Sequence, residues 1–201
     1  MSASNGEINW NMLKDKVDFA IIKLGEGNLD TRDVDMIDPM YFKNIHCAVD
    51  CGIAIGGYWV DRTDKADDAW REGLECKGLM DALKDVEFDL PIFFMIDQLG
   101  TPEHFAPMFY RPWETDIMLQ QGKAFRKGLG DKYTCGFSAN INTVLSYVSA
   151  DDIFDEFDGH HWLRTDAYER FPHSIHQFRK PRNIEGTPFT INEINTSIYG
   201  K

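Results

Sequence analysis

Short apolar runs alternate with longer segments that carry an apolar residue every three or four positions, and this alternation most strongly limits the fold. The runs are typical of strands and the longer segments of amphipathic helices. Strands that alternate with helices predict a parallel sheet with crossover helices. The run LPIFFMID, residues 90–97, is almost continuously apolar and ends in Asp97. Such a run indicates a strand buried on both faces that delivers an acid at its end.

Four strands and four helices are predicted before residue 150. The predicted strands are 19–27, 53–60, 90–97 and 132–139, and the predicted helices are 39–52, 64–83, 113–130 and 140–149. In the second helix, Ala66, Trp70 and Leu74 share one apolar face. The remaining residues predict strands alone, at 160–167, 174–180 and 187–195. We therefore expect an α/β fold in which residues 1–201 form a single domain, a TIM-like barrel completed by strands rather than by strand–helix units.

Charge and hydropathy exclude several classes of protein. The net charge of −12 argues against nucleic-acid binding, which needs a basic surface, and against docking on anionic lipid. No apolar run approaches the roughly 20 residues of a membrane span. The beginning, MSASNGEINW, lacks the basic and apolar parts of a signal peptide. The expected location is therefore the cytoplasm, with action outside the cell or at the cell wall after release by another factor.

The four cysteines, Cys47, Cys51, Cys76 and Cys135, contain no C-x2-C pair, so a zinc ribbon or redox motif is not expected. The segment HCAVDC, residues 46–51, places histidine, cysteine and aspartate side chains on consecutive helical turns. A metal site is one interpretation of this segment, but buried free thiols are favoured. The prediction is therefore of no metal and no cofactor.

Polar and aromatic residues follow the predicted strands, where barrels of this kind carry their sites. They are Glu26, Tyr58, Trp59, Asp97, Gln98, Trp162, Asp166, Gln177, Glu193 and Asn195. Aromatic rings stack on sugar rings, and acids and amides bind hydroxyl groups, so together these residues predict a carbohydrate site. Taken singly, each also has a structural interpretation. Asp166 can cap a loop, and Glu193 can be a solvated charge at a sheet edge.

Six segments, in order along nearly the whole chain, resemble one family. They are NGEINWNMLKDKVDFAIIKLGEG (5–27), DPMYFKNIHCAVDCGIAIGGYWV (38–60), LPIFFMID (90–97), HHWLRTDAY (160–168), IHQFRKPRNIEG (175–186) and TINEIN (190–195). The chain resembles the family 25 glycoside hydrolases, the N-acetylmuramidases or lysozymes of bacteria and phages. This resemblance implies a (β/α)5β3 barrel and, as partner, peptidoglycan or a related N-acetylated glycan.

The catalytic residues of the family are only partly present. Its third-strand motif, Pro-x-x-x-Asp-x-Glu, places two acids at positions i and i+2, which here are Met95 and Asp97. A further family acid, in the motif V-D-x-N, corresponds to Glu193. Another precedes the Asn-Gly turn of the family, and no aspartate stands there in this chain, which begins at Met1 beside that position.

The resemblance thus implies roles for nine residues. Asp97 is the expected proton donor and Glu193 the assisting acid, while Met95 occupies a degenerate catalytic position. The expected substrate-binding residues are Tyr58, Trp59, Gln98, Trp162, Gln177 and Asn195. His176 stands where the family has a tryptophan, which changes the wall that faces the sugar.

Glycoside hydrolysis usually needs two carboxylates, and the thioether of Met95 cannot transfer a proton. Shortening a general acid from Glu to Asp moves its oxygen by about 1 Å, and such misplacement costs on the order of 10²-fold in rate. One hypothesis is therefore a muramidase-like domain whose activity is weak or lost. The alternative is a non-catalytic glycan-binding or structural module, for example of a phage particle, with a protein partner in that assembly. A third is other chemistry at Asp166, His161 or His176.

Overall fold

A computed structural model gives the structure of the chain. It describes residues 1–27, 37–63, 65–96, 117–140, 150–164, 175–177, 182–184, 187–189 and 192–194. The helices are α1 (Trp10–Leu13), α2 (Tyr41–Asp50), α3 (Ala66–Ala82), α4 (Ile117–Leu129) and α5 (Ala150–Glu156), and a 3-10 turn spans Ala3–Asn5. In this part of the chain, no helix is long and apolar enough to cross a membrane.

The strands are β1 (Phe19–Glu26), β2 (Ala54–Asp61), β3 (Ile92–Ile96), β4 (Cys135–Asn140), β5 (His161–Arg164), β6 (Ile175–Gln177), β7 (Arg182–Ile184), β8 (Thr187–Phe189) and β9 (Asn192–Ile194). Seven of them form one sheet in the order β1-β2-β3-β4-β5-β6-β9. Strands β1 to β6 are joined by five parallel ladders, which confirms the α/β prediction, and β9 pairs antiparallel with β6.

The carboxyl-terminal part differs from the prediction. The segment 187–195 was expected as one strand, but it contains β8 and β9, which belong to different sheets. Strand β8 pairs with β7, which was not predicted. Alternation of apolar and polar residues shows that a segment is extended, but not where the chain changes its pairing partner.

The predicted helix at 140–149 is not confirmed. Asn140 ends β4, and residues 141–149 lie outside the described part of the chain. A helix that was not predicted, α5, begins at residue 150 with Asp151 and Asp152 in its first turn. Acids at this end interact favourably with the helix dipole. Only Ile153 and the following Phe157 provide buried apolar side chains in this segment, too few for a clear helical periodicity.

One face of the sheet is covered by helices. Helices α3 and α4 cross at two glycines with backbone close to backbone. A Cβ atom on Gly73 would lie 2.2 Å from the carbonyl oxygen of Phe125, and a Cβ on Gly128 would lie 2.1 Å from the carbonyl oxygen of Trp70. The predicted apolar face of α3 is therefore wrong, because Trp70 and Leu74 are exposed and the buried side of α3 runs through Gly73 and Cys76.

The opposite face of the sheet carries a second, smaller apolar group, here called the inner cluster. It consists of Ile21, Val60, Phe93, Met95, Trp162 and Ile175, with Phe19 and Tyr58 packed against it. These residues come from strands β1, β2, β3, β5 and β6. Because side chains alternate between the faces of a strand, this cluster identifies which positions face away from the helices.

The backbone of Met1 lies along the outer edge of β1. Its nitrogen donates to the carbonyl oxygen of Ile21 at 2.7 Å, and its carbonyl oxygen accepts from the amide of Lys23, also at 2.7 Å. Met1 thus bonds the two residues that flank Ile22, and one residue that bonds both neighbours of its partner is the pattern of a parallel pair. The chain at Met1 therefore runs parallel to β1.

We expect Gly73→Ala to destabilise the protein by about 1–3 kcal/mol, because an added methyl group forces α3 away from the backbone of α4. Gly78→Ala is the matched control in the same helix, since nothing lies within 4 Å of its Cβ position. This control should stabilise by about 0.5–1 kcal/mol. Urea denaturation of both variants measures the difference, and equal effects would contradict the close crossing.

Candidate functional site

The candidate site lies where the inner face of the sheet reaches the carboxyl ends of its strands. The pairing register aligns Glu26 of β1 with Val60 of β2, and Val60 with Met95 of β3. Neighbouring strands lie about 4.8 Å apart, so Glu26 and Met95 stand about 10 Å apart at the same level of the sheet. Met95 is only 5% exposed. The position where the family resemblance implies an acid is thus filled by a packed thioether.

Three charged groups meet beside this row. The Glu26 carboxylate accepts from Lys23 Nζ at 2.7 Å and lies 3.5 Å from an Arg62 guanidinium nitrogen. All three side chains are about one-fifth to one-quarter exposed. Partly exposed ions at strand ends are suited to binding polar groups of a ligand, because they are oriented without being closed off from solvent.

An aromatic pair forms another wall of the site. The rings of Tyr58 and Trp162 meet edge to face, with centroids 5.8 Å apart, and Trp162 also packs edge to face on Phe93 at 5.4 Å. Trp162 is 4% exposed, whereas Tyr58 is half-buried. Tyr58 is therefore the aromatic residue of this pair with surface to offer a sugar, and Trp162 supports it from the interior.

Two amide side chains accompany these rings. Asn192 of β9 accepts a hydrogen bond through Oδ1 from the indole Nε1 of Trp162 at 3.0 Å. Gln177 of β6 is two residues from Ile175, so it shares the inner face. Its Oε1 atom is buried and has no hydrogen-bond partner among the described residues. A buried amide oxygen without a donor is costly, and a bound hydroxyl or N–H group would satisfy it.

The structure contradicts the expected sugar contact of Trp59. Its side chain is 2% exposed and lies on the helix-covered face, where Nε1 donates to the Glu72 carboxyl group of α3 at 2.8 Å. The physical reason is the two-residue period of a strand, which sends neighbouring Tyr58 and Trp59 to opposite faces. Trp59 therefore holds a helix rather than a ligand.

Several predicted residues lie outside the described part of the chain: Asp97, Gln98, Asp166 and Asn195. The backbones of Glu193 and His176 are opposite each other in the β6–β9 pair, but their side chains are not described. Of the predicted residues, the structure therefore places five on the inner face near the strand ends: Glu26, Tyr58, Met95, Trp162 and Gln177. Their membership of a functional site stays a prediction.

Sequence reasoning missed Lys23, Arg62 and Asn192. Lys23 could have been recognised from the sequence. It follows Phe19 and Ile21 at every second position, on the same face of a strand that is otherwise apolar. A lone lysine on a buried face requires a partner, and here the partner is Glu26. Arg62 and Asn192 show no such signal, because each lies in a polar segment.

The cysteines divide into two groups. Cys76 and Cys135 are buried free thiols, and burial raises the pKa of both, that of Cys135 to about 12. Buried free thiols were predicted for Cys47 and Cys51. Both are free, but Cys47 on α2 and Cys51 just after its end are only half-buried. In the described ranges, no group of three or more histidine, cysteine or acidic side chains is arranged to hold a metal ion.

Comparison with known proteins finds the fold among solved structures. The autolysin LytC of Streptococcus pneumoniae, solved with a synthetic peptidoglycan ligand, is 18% identical with a TM-score of 0.74 over 96% of this chain and 44% of its own. The catalytic domain of endolysin ply40 from a Listeria monocytogenes bacteriophage is 14% identical (TM-score 0.74, 99% and 92% covered). A family 25 glycosyl hydrolase from Bacillus anthracis is 15% identical (TM-score 0.69, 97% and 86% covered).

These similarities establish the fold. The chain has the lysozyme-like fold of the family 25 glycosyl hydrolases, as its sequence segments predicted, and it spans less than half the length of LytC. No protein-family model matches the sequence, and no curated protein matches it. The identity of the fold therefore rests on three-dimensional arrangement, which persists at sequence identities of 14–18%.

We expect Met95→Leu to cost less than about 1.5 kcal/mol of stability, because leucine conserves the volume that Phe93 and Trp162 enclose. Met95→Asp should cost clearly more, about 3 kcal/mol, because a buried carboxylate there leaves water without an opposite charge among its apolar neighbours. Denaturant unfolding at pH 7 compares the two variants. An equally stable aspartate variant would show that this position is still built for an acid.

Proposed function

We propose that this chain is a lysozyme-like, muramidase-family domain that acts on or binds peptidoglycan glycan strands, with activity weak or lost. The fold likeness supports the glycan class, since LytC was solved with a peptidoglycan ligand. The observation that carries the reduced activity is Met95, which is packed at the level of Glu26 where the family resemblance implies a catalytic acid.

The remaining chemistry is assigned as follows. Asp97 is the proton donor of any residual cleavage, and Glu193 assists it by holding the N-acetyl group of the substrate. With Met95 unable to stabilise positive charge at the sugar ring, the reaction has lost one of its two usual carboxylates. Substrate-assisted cleavage, with the acetamido oxygen as nucleophile, is the route that this set of residues leaves open.

Binding does not depend on proton transfer, and the described residues support it directly. Tyr58 offers a partly exposed ring beside Trp162, and Gln177 offers an unsatisfied acceptor oxygen on the same face of the sheet. Gln98 and Asn195 complete the proposed polar contacts to sugar hydroxyl groups. A glycan hydroxyl or acetamido N–H that reaches Gln177 would remove the cost of its orphaned oxygen.

We also propose that the sheet closes into a single (β/α)5β3 barrel over residues 1–201. Two contacts support closure. Met1 hydrogen-bonds the outer edge of β1 in a parallel pattern, and the turn at Ala3–Asn5 lies against β8. A closed barrel would place the inner cluster at its centre and the candidate site at its carboxyl-end mouth.

A non-catalytic module is the second candidate, and the same observation favours it. A packed Met95 suits a barrel retained for glycan binding or as a structural part of an assembly such as a phage particle, with a protein partner there. The two candidates differ in turnover alone, so one preparation can separate them.

We expect the purified chain to bind insoluble Gram-positive peptidoglycan but to lyse those walls at least about 10²-fold more slowly than an active muramidase, since its proton donor is shortened and its second acid lost. Tyr58→Leu should weaken binding by roughly tenfold, because the contact between a sugar ring and an aromatic ring is worth about 1–1.5 kcal/mol. Co-sedimentation and turbidity loss measure the two properties on the same sample.

Asp97→Asn is the decisive variant for turnover. Under the proposal it removes any residual lysis and leaves co-sedimentation unchanged. Robust lysis by the unmodified chain that Asp97→Asn abolishes would overturn the reduced-activity proposal in favour of a full enzyme. Absence of binding as well as lysis would overturn the glycan-binding proposal altogether. Exposed Glu87→Gln serves as the control that should change neither property.

A further inference from the structure

A buried acid lies on the helix-covered side of the sheet, away from the candidate site. Glu72 is on the buried side of α3 and is 5% exposed. Its Oε2 accepts the indole N–H of Trp59 at 2.8 Å, whereas its Oε1 is buried and has no hydrogen-bond partner among the described residues. Burial strongly disfavours the ionised form of a carboxyl group in such a place.

The same carboxyl group packs against the backbone just after the end of β1. A Cβ atom on Gly27 would lie 1.6 Å from Glu72 Oε1, so the backbone at Gly27 passes directly against this oxygen. The amide of Gly27 donates to the carbonyl oxygen of Val60 at 2.9 Å. Glu72 thus touches the residue that follows Glu26, and through Trp59 it also holds β2. One side chain of α3 therefore joins the carboxyl ends of two strands.

The described charged groups that act on Glu72 are all of its own sign. Asp61 faces it from the end of β2, and Glu75 and Asp68 act on it from α3. Just after β1 it meets the backbone of Gly27, and the buried Gln121 of α4 is neutral and bonds Thr63. Burial first and the Asp61 charge second raise the pKa of Glu72 to about 9 from its usual 4.5, against a lowering by the Trp59 hydrogen bond.

We propose that Glu72 is a proton-dependent latch: its neutral carboxyl group holds α3 against the carboxyl ends of β1 and β2, and its ionisation releases them. The unpartnered Oε1 carries the proton, and Oε2 accepts from Trp59. Loss of the proton places a second negative charge beside Asp61, and no cation is among the described groups that act on Glu72. The backbone at Gly27, next to Glu26, then loses its support, so the latch positions one wall of the candidate site without touching a ligand.

The direction of the pH effect follows from proton linkage. Between pH 4.5 and pH 9 the folded chain keeps a proton on Glu72 that the unfolded chain has lost. The stabilisation by this group is therefore complete below pH 4.5, falls as the pH rises, and is gone once the pH passes 9. Glu72→Gln, which copies the neutral form, should lack this dependence.

Urea denaturation from pH 5 to pH 10 tests the latch with the intact chain. Relative to Glu72→Gln, the unfolding equilibrium constant of the unmodified protein should rise by up to about tenfold per pH unit and level off above pH 9. Glu87→Gln, which removes an exposed glutamate, should keep the dependence of the unmodified protein. Parallel curves for Glu72→Gln and the unmodified chain would overturn the proposal.

A second measurement applies even if Glu72→Gln fails to fold. The indole N–H groups of Trp59 and Trp162 are both hydrogen-bonded, one to Glu72 and the other to Asn192. By NMR, hydrogen exchange at Trp59 should accelerate relative to Trp162 as the pH passes 9, because α3 separates from the strand ends. A constant ratio from pH 7 to pH 10 would overturn the latch. Neither test uses a glycan, so their failure leaves the proposed function standing.

Discussion

The parallel register of β1, β2 and β3 is the constraint on which the rest of the structure depends. It aligns Glu26, Val60 and Met95 in one row and Lys23, Tyr58 and Phe93 in another. Because alternate residues face opposite sides, this single register decides which side chains enter the inner cluster and which meet the helices. A shift by one residue would exchange Tyr58 with Trp59 and move the charged and aromatic walls of the candidate site to the wrong face.

The two faces of the sheet surround their glutamate side chains differently. On the inner face, Glu26 is partly exposed and is paired with Lys23 and Arg62. On the helix-covered face, Glu72 is buried among like charges and is neutral at pH 7, where it serves packing. One glutamate is thus held in ion pairs at the end of β1 on the inner face, whereas the other packs between α3 and the strands on the helix-covered face.

The proposed loss of a catalytic carboxylate would also be a change in packing. Met95 contacts the inner apolar cluster, where a thioether is stabilising and an unpaired carboxylate is costly. Restoring the acid alone would therefore oppose the local packing as well as leave the remaining catalytic group incomplete, since such groups act as a unit. This coupling between packing and chemistry is the physical basis of the proposal that the chain binds glycan better than it cleaves it.

The sequence by itself determined the order of strands β1 to β6 and of helices α2, α3 and α4 between them, because periods of two and 3.6 are visible in the order of apolar residues. It also determined the fold family, through spaced motifs along the chain. Only the tertiary structure decided the partner of each terminal strand, the opposite faces of Tyr58 and Trp59, and the burial of Glu72 in place of Trp70. The physical reason is that these outcomes depend on contacts between distant segments, such as the backbone crossing at Gly73 and Gly128, which local periodicity does not encode.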